Sequence, residues 1–238
     1  MEVFKFKKFS VHQDKCLMKL GTDSVLLGAW TSSVGPEKVL DIGTGTGVIA
    51  LIIAQNNPEA LVDGVEIDSD SASQATVNFN QSPFSDRLRV IHQDIQSFTE
   101  SKEQSYDLLV CNPPFFTGGT LSEISSRNAA RHTVKMPHAD LINAARNLLH
   151  EKGRLNLILP YIEGLRFEEL ARNYGFYVRK ITEVFTKANK PVERLLMSFS
   201  KKEGTIEKES IAIQHDSDLR NDWTDEYKAL TQNFYLNL

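Results

Sequence analysis

The sequence predicts an α/β protein built on a mostly parallel sheet that ends in an antiparallel hairpin. Three observations predict it. Short apolar runs of strand type alternate with helical stretches from Val39 to Leu159. A glycine-rich turn, Gly43 to Gly47, joins the first of these strands to a helix. Two strand-like runs, Phe176–Phe185 and Val192–Ser200, meet around Lys187–Pro191, a connection short enough only for antiparallel neighbours.

The central stretch is VLDIGTGTGVIALIIAQ, Val39 to Gln55. Val39–Ile42 reads as a buried strand with Asp41 near its end. Gly43, Gly45 and Gly47 then alternate with threonines, and Val48, Ile49, Ile52 and Ile53 begin a helix. Glycines admit positive φ and close backbone approach, and a helix start presents free N–H groups. A bare strand-to-helix turn needs one glycine, so three alternating ones favour a ligand. A dinucleotide fingerprint would place its third glycine where this chain has Val48, which weighs against a nucleotide-dependent oxidoreductase.

Before this stretch, residues 3 to 9 alternate apolar and basic, as expected of short strands or a hairpin with a basic face. Lys5, Lys7 and Lys8 have two readings of equal weight: protection of an edge strand, or a basic arm for RNA. Gly21 to Trp30 reads as a cap and helix, with Thr22 or Asp23 capping. Residues 1–36 therefore form an N-terminal hairpin and helix ahead of a main domain, 37–238.

After it, Leu61–Glu66 is a second strand. Glu66 at its carboxyl end is placed to accept both ribose hydroxyls of a nucleoside. A helix is expected over Ala72–Asn80 and a third strand over Leu88–His92, with Asp94 just beyond, either a cap or an acceptor for an adenine amine. Tyr106–Cys111 is a fourth strand running into Asn112-Pro113-Pro114-Phe115. Prolines cannot continue a central strand, so the chain leaves the sheet here with a rigid backbone. Open α/β sheets bind ligands beyond the carboxyl ends of their strands, which places this motif on the rim of the glycine loop.

The segment from Phe116 to Pro137 is long and polar, and carries Arg127, Arg131 and Lys135. Such segments tend to be functional. Helices follow over His138–Leu149 and Glu163–Tyr174, with a fifth strand at Arg154–Leu159 between them. An additional strand is expected over Thr205–Gln214. A terminal helix over Trp223–Phe234 should bury Tyr227, Leu230 and Phe234.

The formal net charge of −4 excludes a global positive field, so any RNA contact must be concentrated in local basic patches. Cys16 and Cys111 form neither a disulfide framework nor a metal-binding spacing, so no metal is expected. The sequence shows no apolar run of membrane-spanning length and no secretory h-region, and a cytoplasmic location is the expectation.

Together the motif D-x-G-x-G-x-G, strand-end Glu66, Asp94 and Asn112-Pro113-Pro114-Phe115 resemble class I amino-methyltransferases. That resemblance implies a Rossmann-like seven-stranded class I methyltransferase fold and S-adenosylmethionine as methyl donor. Asp41, Gly43, Gly45, Gly47, Glu66 and Asp94 would hold the cofactor. Asn112 and the Pro113 carbonyl would accept the two N–H bonds of a planar target nitrogen, and Phe115 would stack on its base. FKFKKFSVHQDKCLMKLGTDSVLLGAW at the start, RNAARHT after the Asn112–Phe115 motif, and DEYKALTQNFYL at the end are similar to bacterial tRNA1(Val) adenine-N6-methyltransferases. This narrower resemblance implies adenine-37 in the anticodon loop of valine tRNA as target, with Thr22 and Asp23 near the methionine end of the cofactor. Release-factor glutamine N5 and rRNA guanine N2 are the alternative acceptors for the same motif, and a binding module without catalysis is a further one.

Overall fold

A computed structural model describes residues 3–16, 18–31, 35, 37–101, 105–114, 136–217, 219 and 221–236. The N-terminal strands β1 (Val3–Lys5) and β2 (Ser10–His12) form a separate antiparallel hairpin. Eight strands make the main sheet: β3 (Lys38–Ile42), β4 (Leu61–Glu66), β5 (Leu88–His92), β6 (Tyr106–Cys111), β7 (Leu149–Pro160), β8 (Tyr177–Lys187), β9 (Val192–Ser200) and β10 (Glu207–Gln214). Their order across the sheet is β10-β8-β9-β7-β6-β3-β4-β5. From β5 to β7 every pairing is parallel. β9 lies antiparallel between β7 and β8, the hairpin expected from the sequence. β10 adds an eighth strand, parallel to β8 at the edge.

The strands alternate between two cores because successive side chains point to opposite faces. Val39, Leu108 and Val110 enter one, with the helices α1 (Thr22–Thr31) and α2 (Val48–Asn56). Leu40, Ile42, Leu109 and Cys111 enter the other, with α4 (Ile95–Glu100), α5 (His138–Leu148) and α6 (Tyr161–Asn173). α2 is buried on all sides from Val48 to Ala54, which explains its apolar composition. The N-terminal hairpin shares the first core through Phe6, Phe9 and Val11. Phe6 stacks 4.7 Å from Phe9 and 5.8 Å from Tyr235, which closes the two chain ends on each other.

Element bounds depart from expectation where side chains act on the backbone. α3 (Ser69–Asn80) begins three residues before Ala72, because the Asp68 carboxylate accepts the Ser71 N–H at 2.8 Å. α4, six residues long, is too short to show a helical period in the sequence. The terminal helix α7 spans only Asp225–Thr231, because Trp223 is bridged to Gln214 and the Thr224 N–H donates to the Ile213 carbonyl. Tyr227 and Phe234 are buried as expected, and Leu230 is partly buried beside them.

Register sets the rim. Ile42 on β3 stands beside Val65 on β4 and Cys111 on β6, so the next residues, Gly43, Glu66 and Asn112, emerge side by side. Gly47 starts α2 with φ 81°, and a β-carbon there would collide with the Phe79 ring of α3. Gly47→Ala is therefore expected to lower stability by more than about 1 kcal/mol, measured by urea unfolding, since it adds left-handed strain to a steric conflict.

Candidate active site

A cleft of about 940 Å³ opens over that rim, a size suited to a nucleoside-bearing ligand. Its floor is the glycine loop. Gly43 and Gly45 have φ of 68° and 55°. A β-carbon on Gly43 would meet no atom within 4 Å, so the loop leaves clear space above itself. The Gly43 and Thr44 N–H groups both donate to the Val65 carbonyl, at 2.9 and 3.1 Å, pinning the loop to β4. Asn78 on α3 holds it from behind, donating to the Thr46 carbonyl at 2.8 Å.

Glu66 is the loop's main anchor. Its Oε2 accepts the Gly45 N–H at 2.9 Å and its Oε1 accepts the Asp68 N–H at 3.0 Å. Each oxygen retains a second lone pair, and the side chain lines the cleft. Asp94 also lines it and caps α4, accepting the Ser97 N–H at 2.8 Å. That bond, with a further one from the Ser97 hydroxyl, holds the Asp94 carboxyl below its usual range. Ile67 and Ile95, beside these acids, give the cleft apolar walls. The sequence offered a signal for both: each directly follows an acid at or just past a strand end.

Asp41 is completely buried beneath the loop and does not line the cleft. Its Oδ2 accepts the Thr44 hydroxyl at 2.7 Å, and its Oδ1 has no hydrogen-bond partner among the described residues. Burial raises its pKa to about 7, opposed by the Thr44 hydroxyl and the Ala50 N–H and reinforced by the charge of Glu66. Gly47 is likewise set back from the cleft wall.

At the other end, β6 delivers Asn112 and Pro114 to the cleft, while Pro113 is buried. The Asn112 Nδ2 donates to the Ser24 hydroxyl at 3.0 Å. Its Oδ1 is buried with no partner among the described residues. Thr22, Asp23 and Ser24, from the first turn of α1, line the same end. The Asp23 carboxylate accepts from Arg194 Nε of β9 at 2.9 Å. Ser24 and Arg194 were not singled out by the sequence, where nothing relates them to residues 88 and 171 positions away.

Of the basic residues, Lys5, Lys7 and Lys8 lie exposed on the N-terminal hairpin and are not among the cleft-lining residues. Lys7 Nζ donates to the Gln232 carbonyl at 2.6 Å. Phe115, Arg127, Arg131 and Lys135 lie outside the described residues. Lys19 and Arg194 are the basic residues among those lining the cleft.

Residues 20–166 match the methyltransferase small domain family. A tRNA1(Val) (adenine(37)-N6)-methyltransferase of Flavobacterium psychrophilum is 44% identical over 237 residues, covering 99% of this chain and 100% of that one. Its namesake in Histophilus somni is 41% identical, covering 98% of this chain and 97% of that one. Among solved structures, a predicted O-methyltransferase of Agrobacterium tumefaciens aligns with a TM-score of 0.69 at 17% identity, over 89% of this chain and 96% of that one. Pyrococcus horikoshii TYW2, solved in complex with MeSAdo, aligns with a TM-score of 0.54 at 17% identity, over 82% and 72%. These likenesses bear out the Rossmann-like class I methyltransferase fold, here with β10 added at its edge.

The raised Asp41 pKa has a measurable consequence. Its folded carboxyl binds a proton more tightly than the unfolded one, so its contribution to stability falls as pH rises from about 4 to about 7 and is level above that. Asp41→Asn should remove this fall. The melting temperature of the variant minus that of the native protein is expected to be larger at pH 8 than at pH 5 in calorimetric scans.

Proposed function

The chain belongs to the tRNA1(Val) (adenine(37)-N6)-methyltransferase family, and from that premise we propose that it methylates N6 of adenine-37 in the anticodon loop of valine tRNA, with S-adenosylmethionine as donor. The observation that carries the reading is Asn112, whose Oδ1 is buried at the end of β6 with no partner among the described residues. A buried acceptor without a partner is costly, and beside the cleft it is placed to take a ligand's donor.

The cleft suits the cofactor on its own chemistry. Clear space stands over Gly43, and Glu66 has lone pairs free for two ribose hydroxyls. Asp94, flanked by Ile67 and Ile95, offers an acceptor between apolar walls for the adenine amine. Asp41 acts from beneath by holding Thr44, while Thr22 and Asp23 approach from the α1 side. When bound, S-adenosylmethionine supplies an electrophilic methyl group.

The rest is done by the chain. An exocyclic adenine amine is a poor nucleophile because its lone pair is delocalised into the ring. Asn112 Oδ1 accepts one of its N–H bonds and the Pro113 carbonyl the other, which favours pyramidal nitrogen and aims its lone pair. Phe115 stacks on the base and holds it in plane. Held by Asn112, the Pro113 carbonyl and Phe115, the nitrogen would present its lone pair to the methyl group the cofactor supplies, and would then lose its extra proton to solvent. Positioning and fixed dipoles carry the rate, so no strong general base and no metal is required. A base in a loop is flipped into the cleft at lower cost than one within a duplex. Lys5, Lys7 and Lys8, with Arg127, Arg131 and Lys135, are the proposed phosphate contacts. A tRNA substrate places the enzyme in the cytoplasm.

Methyl incorporation into unmodified valine tRNA, beside a copy with guanine at position 37, tests the reading. Label in the first and none in the second is expected; equal label in both removes this adenine as target. Asn112→Ala should lower turnover strongly with cofactor affinity almost unchanged. Glu66→Ala should do the reverse, weakening cofactor binding by about 1.5–3 kcal/mol in calorimetry, since it removes the ribose acceptors and frees Gly45. Removing one proposed phosphate contact, as in Lys8→Ala, should make the salt dependence of tRNA binding shallower by about 1.

A further inference from the structure

The proposed chemistry depends on which end of the Asn112 amide faces the target. The terminal torsion of asparagine is broad and roughly two-fold. Turned over, the amide would offer a donor where the target amine needs an acceptor. One contact holds the amide in place. Nδ2 donates to the Ser24 hydroxyl at 3.0 Å, and Oδ1 is buried with no partner among the described residues. A hydroxyl serves either end of an amide, so Ser24 fixes where the group stands and the target N–H draws Oδ1 toward itself.

Ser24 stands on a fixed platform. It lies in the first turn of α1, whose following residues Val25, Leu26 and Leu27 are wholly buried. The preceding residue, Asp23, is tied to β9 by Arg194 at 2.9 Å, with both side chains about three-quarters buried, at 25% and 27% exposure. α1 is thus held from its core face and from its rim. Its hydroxyl meets Asn112 from a place set by packing rather than by the 88 residues of chain between them.

We propose that Ser24 is a positioning residue for methyl transfer: its hydroxyl holds the Asn112 side chain at the rim, where the amide can present Oδ1 to the target N–H, acting through Asn112 and not on the cofactor. This rests on the methyltransferase reading above. Ser24 also lines the cleft, so direct contact with the cofactor is the rival role to be separated.

The test is a double-mutant cycle of Ser24→Ala and Asn112→Ala, with Ser24→Thr as the conservative variant. Single-turnover methylation of valine tRNA, cofactor affinity by calorimetry, and the Asn112 side-chain amide signal in the ligand-free protein are measured together. That signal is identified by its loss in Asn112→Ala. Ser24→Ala is expected to lower the rate about tenfold, the equivalent of one neutral hydrogen bond, with cofactor affinity and tRNA KM nearly unchanged. Ser24→Thr should restore the rate. In the Asn112→Ala background, Ser24→Ala should cause no further loss. The amide signal should move and its hydrogens exchange faster in Ser24→Ala. An unchanged rate, a weakened cofactor affinity, or a full additional loss in the Asn112→Ala background each overturns the proposal. Native protein inactive on the tRNA overturns the methyltransferase reading instead, while the amide signal still decides whether Ser24 holds Asn112.

Discussion

The cleft depends on one carboxylate. Glu66 accepts N–H groups from Gly45 in the glycine loop and from Asp68, the residue that caps α3. Three elements are therefore fixed relative to one another by a single side chain at the end of β4. A loop with three residues at positive φ has many conformations open to it, and Gly45 has no side chain with which to hold itself. Fixing it from the neighbouring strand keeps the floor of the cleft formed before a ligand arrives, which lowers the cost of ordering it on binding.

Asp41 performs the matching task from below, and its burial shows what that costs. A fully buried carboxyl with one oxygen unpaired is driven toward the neutral form, and the neighbouring Glu66 charge pushes the same way. The Thr44 hydroxyl and the N-terminal turn of α2 oppose this. Two acids thus act on one loop with different exposures. Glu66 reaches the cleft with lone pairs still free, whereas Asp41 shapes the turn from outside it.

What the sequence made legible follows the range of the interactions involved. Leu61–Glu66, Leu88–His92 and Tyr106–Cys111 form strands at the expected bounds, because an apolar run and a local stop define each one. Glu66, Asp94 and Asn112 were readable for the same reason: each stands at or just past a strand's carboxyl end, where parallel strands bring such residues to one rim. Ser24 and Arg194 were not. Their contacts arise where the start of α1 meets the end of β6 and the start of β9, and no local pattern encodes a contact between segments that distant. α4 escaped because its cap, Asp94, is the only local mark of so short a helix.

The charge of the cleft bears on how an acidic protein would take the proposed RNA substrate. Asp23, Glu66, Asp68, Asp94 and Glu193 line it, against Lys19 and Arg194, and Arg194 is already paired with Asp23. Such an interior repels phosphate and tolerates a neutral nucleobase or a cationic ligand. For the substrate proposed above, the RNA backbone would therefore stay outside the cleft while one base turned inward. A sequence with no global positive charge would then need only a few cations, placed where that backbone runs, and the Asn112 oxygen, buried with no partner among the described residues, would receive the base.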